Sequence, residues 1–224
     1  MDYNFLAGTS LFRGTDHDEI ESVLKCLNAK CSKYPKGSMI FRAGDIVHEF
    51  GLVMSGAVSI ENDDLWGNKT ILDHIGPGQI FAESYACVPC EPMLVNVTAS
   101  EDSVILMLDI GKILHICSNA CEHHNKLISN LLTISSQKNL NLARHSFHTA
   151  PKSIRARLLS YLSYQVKLQG KYDLYIPFNR QQLADYLNVD RSALSKELSK
   201  MHSDGYLSVD KNHFILSEKI TDET

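Results

Sequence analysis

Arg180 to Lys200, RQQLADYLNVDRSALSKELSK, holds two helical apolar rhythms broken by Asn188-Val189-Asp190, and no other stretch restricts the fold as tightly. Leu183 and Leu187 stand at i and i+4 on one face, with the small Ala184 where a second helix would cross closely. Asn188 falls at the reversal, and asparagine tolerates the left-handed conformation better than most residues. Val189 plugs the turn, and Asp190 is a natural N-cap for the helix that follows. That helix, residues 191–202, buries Leu194 and Leu198 and leaves Arg191, Ser192, Ser195, Lys196 and Lys200 outward. Such a pair lays its second helix in the DNA major groove, with early residues against base edges. Arg and Lys suit guanine O6 and N7, and Ser can donate or accept at bases or phosphates. Gly205–Val209, the turn Asp210-Lys211-Asn212 and His213–Leu216 then read as a hairpin, which makes the unit a winged helix. The plain alternative is an αα-hairpin with a solvated charged face; turn chemistry, outward cations and wing together argue against it.

Upstream the pattern changes twice. Asp16 to Ala29 reads as an amphipathic helix with Ile20, Val23, Leu24 and Leu27 as its stripe and acids in its first turn. Beyond Cys31, short apolar and β-branched runs (Met39–Phe41, Leu52–Ile60, Lys69–Ile75, Leu94–Ala99, Ser103–Leu108) alternate with the breaks KGS, AGD, SGA, WGN and GPGQ. Short strands at this spacing suggest a sandwich or small barrel. From Ile110 to about Ala143 the period is helical, and Leu127, Leu131 and Ile134 form a seam whose continuation reaches Lys138 and Asn141. That seam must be hidden, either against a second copy of the chain or against the chain's own β-domain; parallel pairing is the simpler solution. The aperiodic RHSFHTAPK, Arg144–Lys152, is the expected hinge, and Ser153–Leu168 a further helix.

With 224 residues, 44% of them apolar, the chain is long enough for two modest domains with real cores. No apolar run approaches the ~18 residues of a membrane span, and the start MDYNFLAGTS has no basic-then-apolar leader, so a cytoplasmic protein is expected. The net charge of −4 is uneven: residues 1–150 hold 11 Lys/Arg against 17 Asp/Glu, and residues 151–224 hold 11 against 9. The tail, at +2, tolerates an anionic partner.

The whole chain resembles the Crp–Fnr family of bacterial transcription regulators. LFRG (Leu11–Gly14), YPKGSMIFRAGD (Tyr34–Asp45), LVMSGAVSI (Leu52–Ile60) and ILDHIGPGQIFAES (Ile71–Ser84) resemble its opening and jelly-roll strands; Ile176–Leu207 resembles its DNA-binding domain. The resemblance implies an α+β fold: a jelly-roll sensor of the cyclic-nucleotide-binding type (1–110), a long dimerisation helix and hinge (111–148), and a winged helix-turn-helix (149–224). It further implies a homodimer on a palindromic double-stranded DNA operator, in contact with RNA polymerase or blocking it. Arg191, Ser192, Ser195 and Lys196 match the family's base-reading positions, and Arg180, at the start of the helix pair, is a further DNA-binding candidate. Leu127, Leu131 and Ile134 would form the dimer interface.

In the family's cyclic-nucleotide branch a Gly-Glu pair holds the ribose and a following Arg-Ser pair holds the phosphate. Here Glu83 follows Ala82, and Met93 and Leu94 stand where the Arg and Ser would be. A buried phosphate without charge-assisted donors loses several kcal/mol, so cAMP is not the expected effector. Glu83, Cys87, Cys90, Met93, Leu94 and Lys138 are the pocket candidates, and the effector or cofactor stays unknown. Glu83 is either a polar anchor or a satisfied structural acid. Six cysteines without a leader read as reduced thiols. Cys87-Val-Pro-Cys90 has a redox or metal spacing but supplies only two of four zinc ligands; Cys117, Cys121 and His124 share one helical face and are the other metal candidates. Core packing is the plainer role for these thiols. A cupin-like enzyme would need an HxH pair that the β region lacks, so no catalysis is expected. A sensory module acting on a protein partner is the rival to the DNA reading.

Overall fold

The structure, a computed structural model, describes residues 1–63, 66, 69–114 and 122–217. It falls into two units, residues 1–137 and 138–224.

The first unit opens with α1 (Tyr3–Ala7) and α2 (His17–Cys26). A capping box starts α2: Asp16 accepts from the Glu19 amide while Glu19 accepts from the Asp16 amide. Eight strands follow: β1 (Lys30–Tyr34), β2 (Met39–Phe41), β3 (Glu49–Ser55), β4 (Val58–Asp63), β5 (Lys69–Ile75), β6 (Ile80–Phe81), β7 (Asn96–Ala99) and β8 (Ser103–Asp109). The short α3 (Glu83–Cys87) lies between β6 and β7, and α4 (Ile110–Leu114) follows β8. Two four-stranded antiparallel sheets result, β1-β8-β3-β6 and β2-β7-β4-β5, the jelly roll that the sequence implied.

The run Leu52–Ile60 is not one strand. Gly56 sits at φ +78, where a Cβ would fall 2.4 Å from the Asp102 carbonyl oxygen. The chain turns there, so β3 enters one sheet and β4 the other. In the helical stretch expected from Ile110, the described residues form α4 (Ile110–Leu114) and α5 (Glu122–Thr149), and α5 continues into the residues assigned to the hinge as far as Thr149. Residues 115–121, with Cys117 and Cys121, lie outside the described part.

The α5 seam packs within the first unit. Leu127 and Leu131 are buried in one core with Leu6, Leu11, Phe12 and Ile20, and Ile134 packs against it. Asn130 donates to the Leu11 and Arg13 carbonyls at 2.9 Å, and Lys126 pairs with Glu19 at 2.7 Å. Burying Leu127 and Leu131 at home removes their apolar area from water without any partner copy, which favours the chain's own first unit over a second copy as the cover of this seam. The opposite face of α5, Leu132, Ser136, Leu140, Ala143 and Phe147, is exposed. Its spacing of four, four, three and four keeps one stripe.

The second unit contains α6 (Ile154–Gln169), β9 (Asp173–Tyr175), α7 (Arg180–Tyr186), α8 (Arg191–Ser203), β10 (Leu207–Asp210) and β11 (His213–Leu216). The expected hairpin carries a third strand, giving the order β10-β11-β9. Leu158, Leu162, Leu183, Ala184, Leu187, Leu194 and Leu198 meet Phe214 in a single core. No helix among the described residues is long and apolar enough to cross a membrane.

Candidate nucleic-acid interface

Local chemistry sets the helix pair. Asn179 caps α7 in a capping box with Gln182. Asn188 takes φ +53, as the reversal requires. Asp190 caps α8 by accepting from the Ala193 amide at 2.9 Å. The hydroxyl of Ser192 and the Ala193 amide hold the Asp190 carboxyl below its ordinary range. Leu194 and Leu198 face inward, while Arg191, Ser192 and Lys196 are exposed and Ser195 is half-buried. Ser192 donates to Asp190 at 2.6 Å, and Ser195 donates to the Arg191 carbonyl at 2.9 Å. Their hydroxyl protons are therefore spent, and the donors left on the early turns of α8 are Arg191 and Lys196.

Arg180, the candidate at the start of the helix pair, has the most unusual surroundings. It lies at the first position of α7, half-buried, its guanidinium carbon 6.0 Å from the centre of the Phe214 ring. Its Nη1 is buried with no hydrogen-bond partner. Burial, then the charge of Arg191, pulls its pKa down from the ordinary value, so an anion placed here would relieve both costs. The groove it lines opens between the starts of α7 and α8 and the wing turn, with Arg191, Lys211, Asn179 and Asn212. A second groove, floored by Ser195, Ser199 and His202 of α8, reaches Arg180 and Val209. The sequence places Lys211 in the wing turn but does not single it out as a contact. Lys211 stands at φ +54 in the two-residue turn between β10 and β11, a conformation that favours glycine.

Two arginines hold this surface in place. Arg155 on α6 bonds Glu197 at 2.6 Å and Asp204 at 3.0 Å, and covers the Tyr206 ring. Arg157 donates to the carbonyls of Pro151 (2.8 Å), Leu187 (3.0 Å) and Asn188 (2.9 Å), tying the start of α6 to the α7–α8 turn.

The chain matches the cyclic nucleotide-binding domain over residues 31–120 and the Crp-like helix-turn-helix domain over residues 156–219. The chain belongs to the Crp–Fnr family of transcription regulators. It is a DNA-binding regulator of that type. A cyclic AMP receptor protein from Thermus thermophilus is 26% identical to it over 89% of this chain and 88% of its own. The crystal structure of the catabolite activator protein from Thermus thermophilus has a TM-score of 0.53 at 23% identity, covering 96% of this chain and 97% of its own. The c-di-GMP responsive global regulator CLP of Xanthomonas campestris has the same score at 19% identity, covering 90% and 99%. These likenesses show the fold.

In this Crp–Fnr chain the sensor candidates lie as follows. Glu83 is buried at the start of α3, after Ala82 at φ +63. Met93 is buried among Val53, Phe81 and Ile105 in the interior of the roll, whereas Leu94 is 69% exposed. Neither offers a side-chain donor. Cys87 and Cys90 are exposed thiols on either side of an extended Val88, and Cys90 takes φ +61. Burial, then the Glu83 carboxylate, pushes the Cys87 thiol up, which makes it a poorer nucleophile at neutral pH. Lys138 lies half-buried on α5 in the second unit, and His124 is buried near the start of that helix. No group of three or more His, Cys, Asp or Glu that could hold a metal ion occurs among the described residues.

Proposed function

We propose that this regulator is a cytoplasmic homodimer that reads a two-fold symmetric operator, with Arg191 and Lys196 at base edges. Ser192 and Ser195 act beside them as acceptors, and Arg180 and Lys211 take phosphates. The observation that carries the reading is the convergence of Arg180, Arg191 and Lys211 on one groove, with Arg180 Nη1 buried and unpaired. A desolvated cation of that kind costs free energy until an anion reaches it, and duplex DNA presents phosphates beside the major groove that α8 would enter. The exposed stripe of α5 supplies the second copy's contact, and contact with RNA polymerase would follow operator binding.

The effector differs from that of the cyclic AMP receptor protein. Met93 and Leu94 occupy the positions where the cyclic-nucleotide branch holds its phosphate, and a desolvated phosphate there would find no charged donor. A neutral or apolar effector suits this roll better.

A mobility-shift assay on the promoter of the chain's own gene, at stated salt, tests the DNA reading. Arg191→Ala should cost about 1–3 kcal/mol, concentrated at one base pair. Lys211→Ala should weaken all sequences alike and lower the salt slope by about 1. Equal loss for Arg191→Ala on every sequence would reassign it to a phosphate. Calorimetric titration with cAMP should give no micromolar or tighter dissociation constant; finding one would overturn the effector reading.

A further inference from the structure

The end of α5 meets α6 and α7 through two histidines that DNA contact does not use. His148 is only 4% exposed, and its ring centre lies 5.6 Å from Tyr161, 5.5 Å from Tyr164 and 6.1 Å from Tyr186. Its Nδ1 is 3.0 Å from Ser160 Oγ, whose own hydroxyl donates to the Phe147 carbonyl at 3.4 Å. With Ser160 donating to Phe147, Nδ1 serves as the donor to Ser160 and Nε2 is left bare. Nε2 is buried without a hydrogen-bond partner, as is the Tyr161 hydroxyl. One turn back, His145 Nε2 lies 2.8 Å from the Tyr186 carbonyl, which can only accept, so that nitrogen carries its proton. Tyr186 is the last residue of α7, directly before the turn that launches α8.

We propose that His148 is a proton-dependent positioning residue: protonating it loosens the seat of α7, and through it α8, so that operator binding weakens as pH falls. The inference rests on the DNA reading above. A proton on Nε2 would create a buried cation with no acceptor. The titratable groups around the ring are His145 on α5, Tyr161 and Tyr164 on α6 and Tyr186 on α7, with the Arg144 guanidinium 5.8 Å over Tyr164. None of these is a carboxylate. The three tyrosine rings leave Nε2 without a hydrogen-bond partner. Burial, then the charge of His145, holds the His148 pKa below its ordinary value. The sign follows: a base depressed on folding adds stability that is complete above the unfolded pKa of about 6.5 and is lost as pH falls through the folded value. The Tyr186 carbonyl and the Arg157 bonds to Leu187 and Asn188 give that loss a short path to the recognition helix.

The experiment compares the full chain with His148→Phe, which keeps a ring in the aromatic shell and removes the titration. Operator affinity is measured by fluorescence anisotropy at constant salt from about pH 8 to about pH 5.5. Every other histidine, His202 on the α8 face included, is common to both proteins, so the ratio between them is the readout. The ratio is expected to be flat above about pH 7 and to shift against the wild-type chain by at least about threefold at the acid end. Parallel profiles would overturn the proposal. The thermal midpoint of the DNA-free proteins over the same range separates the two readings. A wild-type midpoint that falls relative to His148→Phe supports the proton step even if no operator binds, and absence of operator binding at every pH removes the DNA reading itself. Should His148→Phe fail to fold, the His148 ring resonances of the wild-type chain take its place. Titration at or above the ordinary histidine value would overturn the proposal.

Discussion

Ala82 stands in the left-handed region, φ +63 and ψ 6, immediately before the buried Glu83. An L side chain there brings its Cβ close to the following carbonyl, at a cost of roughly 1–2 kcal/mol. Glycine, which the cyclic-nucleotide branch has at this place, removes that strain but gives the unfolded chain more freedom, worth about 0.5–1 kcal/mol in the opposite direction. The first effect is the larger. Ala82→Gly should therefore raise stability by about 0.5 kcal/mol, seen as a higher urea midpoint with an unchanged slope. A lower midpoint would mean that packing of the methyl against the roll interior outweighs the strain. Cys90 and Lys211 also occupy positive φ, one in the loop after α3 and one at the wing tip.

At the scale of elements, legibility followed the range of the interactions. The helix-turn-helix was readable almost residue by residue, because its caps, its left-handed Asn188 and its i, i+4 leucines are local signals. Strand β1, KCSKY, was missed because it is an edge strand with no buried residue, and its pairing partner β8 lies about seventy positions away. β9 was missed for the same reason: three residues, of which only Leu174 is buried. The α5 seam is legible as a face that must be hidden, but not as to what hides it. Periodicity reports that a face is apolar; only the fold brings Leu6, Leu11 and Ile20 to it. At the site, sequence pointed to Arg191 and Lys196 by analogy of position. It could not show that Arg180 is partly buried and unpaired, or that Lys211 shares its groove, because both depend on how the wing folds back on α7.

At the scale of the whole molecule, a symmetric operator demands two recognition helices about 34 Å apart, and one chain supplies one. The second must come from a partner copy, and α5 offers a surface for it. Leu132, Leu140 and Phe147 are 66%, 51% and 73% exposed, and they form a stripe with the small Ser136 and Ala143 between them. Large residues alternating with small ones allow two helices to approach closely and interlock. At 3.6 residues per turn this stripe lies about 180° from Leu127, Leu131 and Ile134, so the two faces of one helix have separate tasks that mutation can separate. Leu140→Glu places a charge in the proposed interface while the chain's own core is untouched. It should leave the thermal transition within about 0.5 kcal/mol of wild type and raise the dimer dissociation constant at least tenfold, about 1.4 kcal/mol, by sedimentation equilibrium. Operator affinity should fall with it and recover at high protein concentration. Leu131→Glu puts the same charge into the core beside Leu11 and Ile20, and should destabilise the first unit by about 3 kcal/mol or more. If Leu140→Glu remained a dimer while Leu131→Glu dissociated folded, the inward face would be the interface after all, and α5 would have to leave its own β-roll for the protein to assemble.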